Sequence, residues 1–361
     1  MRIAVIQHAK AGDYAEYIYS LIEEKAKQHN YQIKTWSNSV PAFQQQVADD
    51  TIINIYIESN SPVILSWLYK IKIPSIIKKT RAEIVVDLNG IALPKIKIPQ
   101  LIVTSQFFFN NDVKQLNGIE KYALKNFQPS INNSANVLIY SREKLNDVKT
   151  KPQLISFCAP AVFKTLEWHD KIMPKAQHAD NKDYFVAVIE DNAVDDFVLL
   201  LQAFSKFKKW QQSSMQLLVL AKYEALGEEI YKKHATYKYR EDVRLLEIIE
   251  EKQIASVIAS AHSLIHVFNN EPHLLIISIA LQCGLPIISI ADNDVKEYAA
   301  GAVLFSKGKN AAALGDVIIQ LYKDENLHTQ LKEAAQKQAV FLNRADCENK
   351  LWELLQTAAH S

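Results

Sequence analysis

Short, uninterrupted apolar runs rich in isoleucine and valine recur along this chain and alternate with helix-length segments. Continuous hydrophobicity is typical of strands that are buried on both faces, as in parallel sheets covered by helices. Strand–helix alternation of this kind predicts an α/β fold. The predicted strands are residues 3–6, 52–57, 84–87, 101–104, 137–140 and 153–157, followed by 185–189, 216–220, 243–246, 264–268, 286–290 and 302–305.

The chain divides into two halves, because 361 residues exceed what one core usually serves. Between the two sets of strands lies a polar stretch that contains Pro174 and has the composition of a linker. The predicted parts are an N-terminal Rossmann-like domain, a linker, a C-terminal Rossmann-like domain and a terminal amphipathic helix that is a candidate to pack back on the first domain: residues 1–163, 164–183, 184–342 and 343–361.

Composition narrows the class of protein further. The widely spaced Cys158, Cys283 and Cys347 form neither a disulfide framework nor a metal pattern, so reduced thiols and a cytoplasmic location are expected. No apolar stretch has membrane-span length, and Met1 leads directly into a predicted strand, so no signal peptide is expected. No nucleic-acid motif is present. Residues 1–160 hold 19 Lys/Arg and 13 Asp/Glu, against 22 and 27 in the remainder, which indicates either separate tasks or scatter.

Sheets of this kind bind ligands beyond the carboxyl ends of their strands. With two such domains, the cleft between them is the default location of a site.

A family resemblance is carried by residues 259–337. There a predicted strand leads to Asn269, Asn270 and Glu271, and a helix then leads to Gly284-Leu285-Pro286-Ile287-Ile288. This stretch resembles the nucleotide-sugar domain of the family-four retaining glycosyltransferases, also called glycosyl transferases group 1. The resemblance implies the GT-B fold, in which two Rossmann-like domains face each other across a cleft. It also implies transfer of a sugar from a nucleotide-sugar donor to a glycan or lipid-linked acceptor, without a metal or cofactor.

The resemblance implies donor-binding residues in the second half. Glu271 takes the position of a glutamate that contacts donor hydroxyls, with Asn270 and His273 beside it, and Lys222 is a spare cation for the phosphates. Each has a structural alternative. Glu271 also fits a helix-start carboxylate, His273 an ordinary surface or capping histidine, and Lys222 a solvated lysine after a strand.

Several family positions hold other residues here. The position of the ribose-binding glutamate is Ile279, which cannot accept a hydrogen bond. Glu190 stands at the family's phosphate-binding arginine, and Asp195 and Asp196 stand at its lysine and the following glycine, so the charge has the wrong sign for a diphosphate. Pro272 replaces a glycine-rich turn and has no amide proton to donate. These replacements raise the alternative of a catalytically silent relative, a pseudoenzyme.

The first half offers an acceptor or phosphate turn formed by His8, Gly12 and Ser105. His8 and Gly12 lie in the turn after the first predicted strand, and a plain turn with Asp13 capping a helix is the alternative. Ser105 stands where the family has a histidine, and it is no general base at neutral pH.

A basic segment with aromatic residues is the remaining feature. In similar enzymes such surfaces meet anionic lipid, so peripheral contact with the inner face of the membrane is one interpretation, and a solvated helix face is the other. The residues concerned are Trp67, Lys70, Lys72, Lys78 and Lys79.

Three hypotheses follow for the whole chain. The first is an active glycosyltransferase with a changed donor site, and the second is a silent partner or scaffold that complexes with an active transferase in polysaccharide biosynthesis. The third is another two-domain α/β class, such as a periplasmic binding protein, which the absence of an export signal disfavours.

Overall fold

The fold was obtained as a computed structural model of the 361-residue chain. The structure describes residues 1–10, 13–38, 48–94, 96–103, 118–133, 136–139, 155–157, 172–189, 193–221, 226–247, 251–267, 273–291 and 293–359. The chain separates into two compact units, of which one comprises Met1–Pro160 with Arg344–Ser361 and the other comprises Ala161–Asn343.

Each unit is built on its own parallel sheet, which confirms the predicted α/β class with two Rossmann-like domains. The strands of the first unit are β1 Arg2–His8, β2 Gln32–Ser37, β3 Thr51–Ile57, β4 Ile84–Asp87, β5 Gln100–Val103, β6 Asn136–Ile139 and β7 Ile155–Phe157. Those of the second are β8 Tyr184–Ile189, β9 Gln216–Ala221, β10 Val243–Glu247, β11 Leu264–His266, β12 Ile287–Ile290 and β13 Val303–Ser306.

Helices connect the strands in both units. In the first unit they are α1 Asp13–Gln28, α2 Pro62–Trp67, a π-helical turn Leu68–Lys72, α3 Ile73–Thr80, α4 Gly118–Asn133 and the terminal α13 Arg344–Ala359. In the second they are α5 Ile172–His178, α6 Val194–Trp210, α7 Glu228–Ala235, a 3₁₀ turn Arg240–Asp242, α8 Glu251–Ser260, α9 His273–Gln282, α10 Asn293–Ala299, α11 Ala311–Lys323 and α12 Glu325–Ala339. Helix α5 lies within the segment expected to be a linker.

The first sheet has the strand order β2-β3-β1-β4-β5-β6-β7, with all neighbours parallel. Strand β1 lies inside the sheet, and all but two of its residues are buried. Strand β2 is an edge strand whose side chains are mostly part-exposed. Its mixed polar sequence follows from that position, and for the same reason β2 has no apolar run by which it could be predicted.

The second sheet has the order β10-β9-β8-β11-β12-β13, again parallel throughout. Its core is aromatic on one side, where Phe207 packs edge-on against Phe185 at 5.2 Å and Tyr322 at 5.0 Å between ring centroids. Burial of such large rings is a main source of stability for this unit.

The terminal helix α13 packs on α1 in the first unit. The buried Arg344 donates to Ser20 Oγ at 2.7 Å and also pairs with Glu348. The Trp352 ring stacks on His29, with ring centroids 5.3 Å apart. Because these contacts lie on the apolar side of the helix, they attach the end of the described chain to the first sheet's helical layer.

Helices α6 and α11 approach each other closely at Gly315. A Cβ atom built on Gly315 would lie 2.9 Å from Lys206 Cβ and 3.1 Å from the Ala203 carbonyl oxygen. Backbone atoms cannot yield as a flexible side chain can, so this position requires the absence of a side chain.

We therefore expect Gly315→Val to lower the free energy of unfolding by about 2–3 kcal/mol, because the added side chain forces α6 and α11 apart. The matched control is Ala312→Val on the same helix, where the side chain is exposed. Ala312→Val should lower the free energy of unfolding by no more than about 0.7 kcal/mol. Chemical denaturation of both variants measures the difference, and equal losses would contradict the close approach.

Candidate functional site

Each sheet has one place where neighbouring strands send their connections in opposite directions, and ligands of open α/β sheets bind beside it. In the first unit this switch point lies between β1 and β4, and in the second it lies between β8 and β11. The residues at the carboxyl ends of these four strands therefore define where a site is expected.

His8 ends β1 and is buried. Its Nδ1 accepts a hydrogen bond from the Lys10 amide at 2.9 Å, so the proton is on Nε2, which donates to the Ser59 carbonyl at 3.2 Å. Burial lowers the pKa of His8, although the Ser59 bond opposes this effect. The ring is thus neutral and ties the loop after β1 to the loop after β3.

Asp87 ends β4, next to β1, and is also buried. One carboxyl oxygen accepts the amide protons of Asn89 and Ile91, both at 2.8 Å, and the other accepts the Tyr69 hydroxyl at 2.9 Å. The Asn89 side chain donates in turn to the Tyr69 hydroxyl oxygen at 3.0 Å. One carboxyl group therefore shapes the loop after β4 and fixes the helical segment that carries Tyr69.

Burial has the largest effect on the pKa of the Asp87 carboxyl group. Desolvation raises the pKa of Asp87 from 3.8 to about 7, against the opposing effect of its hydrogen bonds. Asp87 is not among the site residues predicted from the sequence. The available signal was a carboxylate that ends a wholly apolar strand and precedes Asn89-Gly90, which is typical of a buried polar group with a local role.

At the switch point of the second unit, β8 leads to α6 and β11 leads to α9. The first turn of α6 carries Asp195 and Asp196, whereas the first turn of α9 carries no acidic residue. A helix N-terminus attracts anions, so α9 offers a positive helix end and α6 has its own carboxylates there.

Asp196 is neutralised by a lysine from another loop. Lys309 lies after β13, and its Nζ is 2.7 Å from Asp196 Oδ1, which is largely buried. Asp196 was predicted from the sequence to carry a charge of the wrong sign for a diphosphate, whereas Lys309 was not among the predicted site residues. The signal for this lysine was Lys307-Gly308-Lys309 directly before a helix. Part of the unfavourable charge at the start of α6 is thus cancelled.

Two further polar residues lie at or next to the carboxyl ends of neighbouring strands in the second unit. The Ser289 hydroxyl donates to the Ile290 carbonyl at 3.0 Å, so it accepts from His266 Nδ1 at 3.1 Å, and both residues are buried. This pair links β11 to β12 at the carboxyl edge beside α9. His266 lay inside a predicted strand, where an isolated histidine gives no clear signal.

Ile279 and Gly284 show how α9 is built. Ile279 is buried in the core, in keeping with an apolar residue at this position. Gly284 has φ +64°, and a Cβ there would lie 3.0 Å from Gln336 Cγ. Glycine is therefore required to end α9 and turn the chain into β12.

Most of the predicted donor-binding residues lie outside the described part of the chain. His273 begins α9, but only its backbone is described. Among the described residues, no group of three or more His, Cys, Asp or Glu side chains is arranged to hold a metal ion. The predicted residues that lie outside the described part of the chain are Glu271, Asn270, Lys222, Gly12 and Ser105, together with the replaced positions Glu190 and Pro272.

Residues 169–338 match the family model described as glycosyl transferases group 1. The matched region lies within the second unit and spans both α6 and α9. No curated protein matches the chain by sequence.

Solved structures share the fold over the whole chain. Sucrose-phosphate synthase from Thermosynechococcus elongatus is similar with a TM-score of 0.76 at 15% identity, covering 100% of both chains. HepE of Anabaena, in complex with UDP-glucose, has a TM-score of 0.72 at 12% identity and covers 99% of this chain and 100% of its own. WaaG, a glycosyltransferase involved in lipopolysaccharide biosynthesis, has a TM-score of 0.69 at 11% identity and covers 98% and 99%.

The raised pKa of Asp87 predicts a specific pH dependence of stability. An acid whose pKa is higher in the folded state holds its proton more tightly there, so stability falls as pH rises from about 4 to about 7. We expect Asp87→Asn to gain stability relative to the parent between pH 5 and pH 8, by an amount on the order of 2–4 kcal/mol.

Chemical denaturation at both pH values measures this relative change, with Asp49→Asn as the control because the Asp49 side chain is 83% exposed. The control should keep the same difference from the parent at both pH values. If the stability of Asp87→Asn relative to the parent instead falls between pH 5 and pH 8, the hydrogen bonds, not burial, dominate the pKa of the carboxyl group.

Proposed function

We propose that this chain is a hexosyltransferase that binds a nucleotide-sugar donor in its second domain and transfers the sugar to a glycan or lipid-linked acceptor. The observation that carries the proposal is the match of residues 169–338 to glycosyl transferases group 1. The strand order of the second sheet supports it, since it brings the loops after β8 and β11 to one switch point.

The chemistry requires stabilisation of a leaving diphosphate. The bond between the sugar's anomeric carbon and the diphosphate oxygen breaks, and the electron pair leaves with the diphosphate. The acceptor hydroxyl oxygen forms the new bond, and its proton passes to a basic oxygen such as that of the departing phosphate. The positive N-terminal end of α9 is a source of such stabilisation in the second domain. We propose retention of configuration, as in the family-four enzymes that the sequence resembles.

Residue roles follow from the sequence pattern. We propose that Glu271 and Asn270 hold donor hydroxyls, with His273 and Lys222 near the phosphates. His8, Gly12 and Ser105 form an acceptor or phosphate turn in the first domain. His8 acts there through the loop that its ring bonds hold, because both ring nitrogens bond to the backbone.

The similar solved structures suggest a donor nucleotide and a biosynthetic role. WaaG is involved in lipopolysaccharide biosynthesis, and HepE of Anabaena was solved with UDP-glucose. We propose by analogy a uridine diphosphate sugar as donor and a role in polysaccharide biosynthesis at the cytoplasmic face of a membrane. None of the described helices is both long and apolar enough to cross a bilayer.

A nucleotide should stabilise the folded chain. With a ligand at about ten times its Kd, linkage adds about 1.4 kcal/mol, which corresponds to a rise in Tm of about 2–5 °C. Thermal melting with UDP, GDP, ADP and their glucose conjugates at millimolar concentration measures the rise. Glu271→Gln should reduce the rise given by the sugar conjugate more than that given by the free nucleotide.

The matched control is Glu325→Gln, because Glu325 is exposed and also begins a helix, α12. The ligands should raise the Tm of this control by the same amount as they raise that of the parent. If none of the nucleotides raises the Tm of the folded protein, donor binding is contradicted.

A second candidate function is a catalytically silent partner or scaffold in complex with an active transferase. Asp195 and Asp196 at the start of α6, and the buried Ile279 on α9, favour it, because a donor's diphosphate and ribose gain no contact from them. Release of the nucleotide diphosphate from any sugar donor by the purified chain would exclude this candidate.

The charge at α6 gives a direct test of the donor's position. Asp196→Asn removes a carboxylate and releases Lys309, so we expect UDP to bind about two- to fivefold more tightly. The matched control is Asp316→Asn, because Asp316 pairs with Lys206 at 2.6 Å but lies on α11. Calorimetric titration measures the UDP affinity of both variants, and that of Asp316→Asn should equal that of the parent. Unchanged affinity in Asp196→Asn would place the diphosphate away from the start of α6.

A further inference from the structure

The helical segment 62–80 of the first domain has two apolar faces. It consists of α2, the π-helical turn and α3 in direct succession. The inner face packs into the domain core through Leu65, Leu68, Tyr69, Ile73, Ile76 and Ile77. A solvent-exposed helix face is normally polar, so a second apolar face requires its own explanation.

The outer face exposes large apolar side chains. Nine large hydrophobic residues are exposed within the described part of the chain, and four of them lie here within nine consecutive positions. The exposed fractions are 78% for Val63, 44% for Ile64, 48% for Trp67 and 60% for Ile71. We call these four residues the apolar patch.

The orientation of the patch is fixed from inside the domain. Tyr69 is buried, and its hydroxyl donates to Asp87 at 2.9 Å. The amide of Ile73 bonds to the Leu68 carbonyl, five residues back, so this turn is wider than an α-helical turn. The wide turn keeps Trp67 and Ile71 on the outer face while Leu68 and Tyr69 face the core.

The charge around the patch has one sign. Residues 61–82 contain five Lys or Arg and no Asp or Glu. Lys70, Lys78, Lys79 and Arg81 are exposed. Lys72 differs, because its Nζ lies over the Trp36 ring, 5.7 Å from the centroid. The outer face therefore combines an apolar first half with a basic second half.

The surface of the patch is shallow. An open depression of about 460 Å³ lies between Trp67 and its neighbours, lined also by Pro62, Val63, Ser66, Lys70 and Ile71. Protein partners usually bring anchoring side chains into well-packed pockets, whereas a bilayer interface accepts protruding aliphatic and indole groups beside lysines. Trp is favoured at that interface because its ring is apolar and its N–H is polar.

We infer that segment 62–80 docks the first domain on an anionic lipid surface. The helix lies in the plane of the interface, with Val63, Trp67 and Ile71 inserted among the acyl chains. Lys70, Lys78 and Lys79 meet the lipid phosphates. This inference goes beyond the proposed transfer reaction and does not depend on donor binding, so each is tested separately.

The test is co-sedimentation of the full chain with vesicles. Phosphatidylcholine vesicles with about 30% phosphatidylglycerol should bind the chain, and pure phosphatidylcholine vesicles should bind it at least about tenfold more weakly. Salt at about 0.5 M should release much of the bound protein, because it screens the lysines.

Two pairs of variants locate the contact. Trp67→Ala/Ile71→Ser removes apolar patch side chains, and Lys78→Glu/Lys79→Glu reverses the charge; each should lower vesicle binding about tenfold. The matched controls change exposed residues of the second domain. Their vesicle binding should stay within about twofold of that of the parent. They are Trp210→Ala/Tyr231→Ser and Lys232→Glu/Lys233→Glu.

Two outcomes overturn the inference. One is a folded parent chain that does not sediment with anionic vesicles at low salt, or whose binding persists in both patch variants. The other is a concentration-dependent dimer that Trp67→Ala/Ile71→Ser abolishes, without vesicle binding, since the occupant of the patch would then be a second copy of the chain. Melting curves of every variant confirm that it is folded.

Discussion

Parallel pairing of strands buried on both faces is the constraint on which the structure depends. Such strands must be apolar along their length, as β1, β4, β8 and β9 are, so polar side chains collect where the strands end. All strands of a parallel sheet end at the same edge. The fold therefore pairs Asp87 with Ile6, two residues before His8, in one sheet and brings His266 beside Ser289 in the other. A ligand site in either domain is therefore expected at that edge.

The apolar runs made the fold predictable from the sequence, because a strand that is buried on both faces consists of consecutive apolar residues. Edge strand β2 left a weaker trace, since much of it is exposed. The site was less predictable. The acidic start of α6 was evident in Asp195 and Asp196, but its partner Lys309 is distant in sequence and is brought near by the packing of α11 on α6. Asp87 acquires its raised pKa only from three-dimensional burial.

The buried network around Asp87 connects two features of the first domain. Its carboxyl group holds the loop after β4 at the switch point and, through the Tyr69 hydroxyl, fixes the helical segment that carries the apolar patch. The helical segment with the apolar patch and the loop at the switch point thus share one buried hydrogen-bond network.

Hydrogen–deuterium exchange with and without UDP-glucose tests the central claim most directly, because it maps the ligand onto the chain. We expect slower exchange in the segments that follow β8 and β11, around residues 190–196 and 268–276, and unchanged exchange in β10 and α12. Protection confined to the first domain, or none at a saturating concentration, would contradict a nucleotide-sugar site at the carboxyl edge of the second sheet.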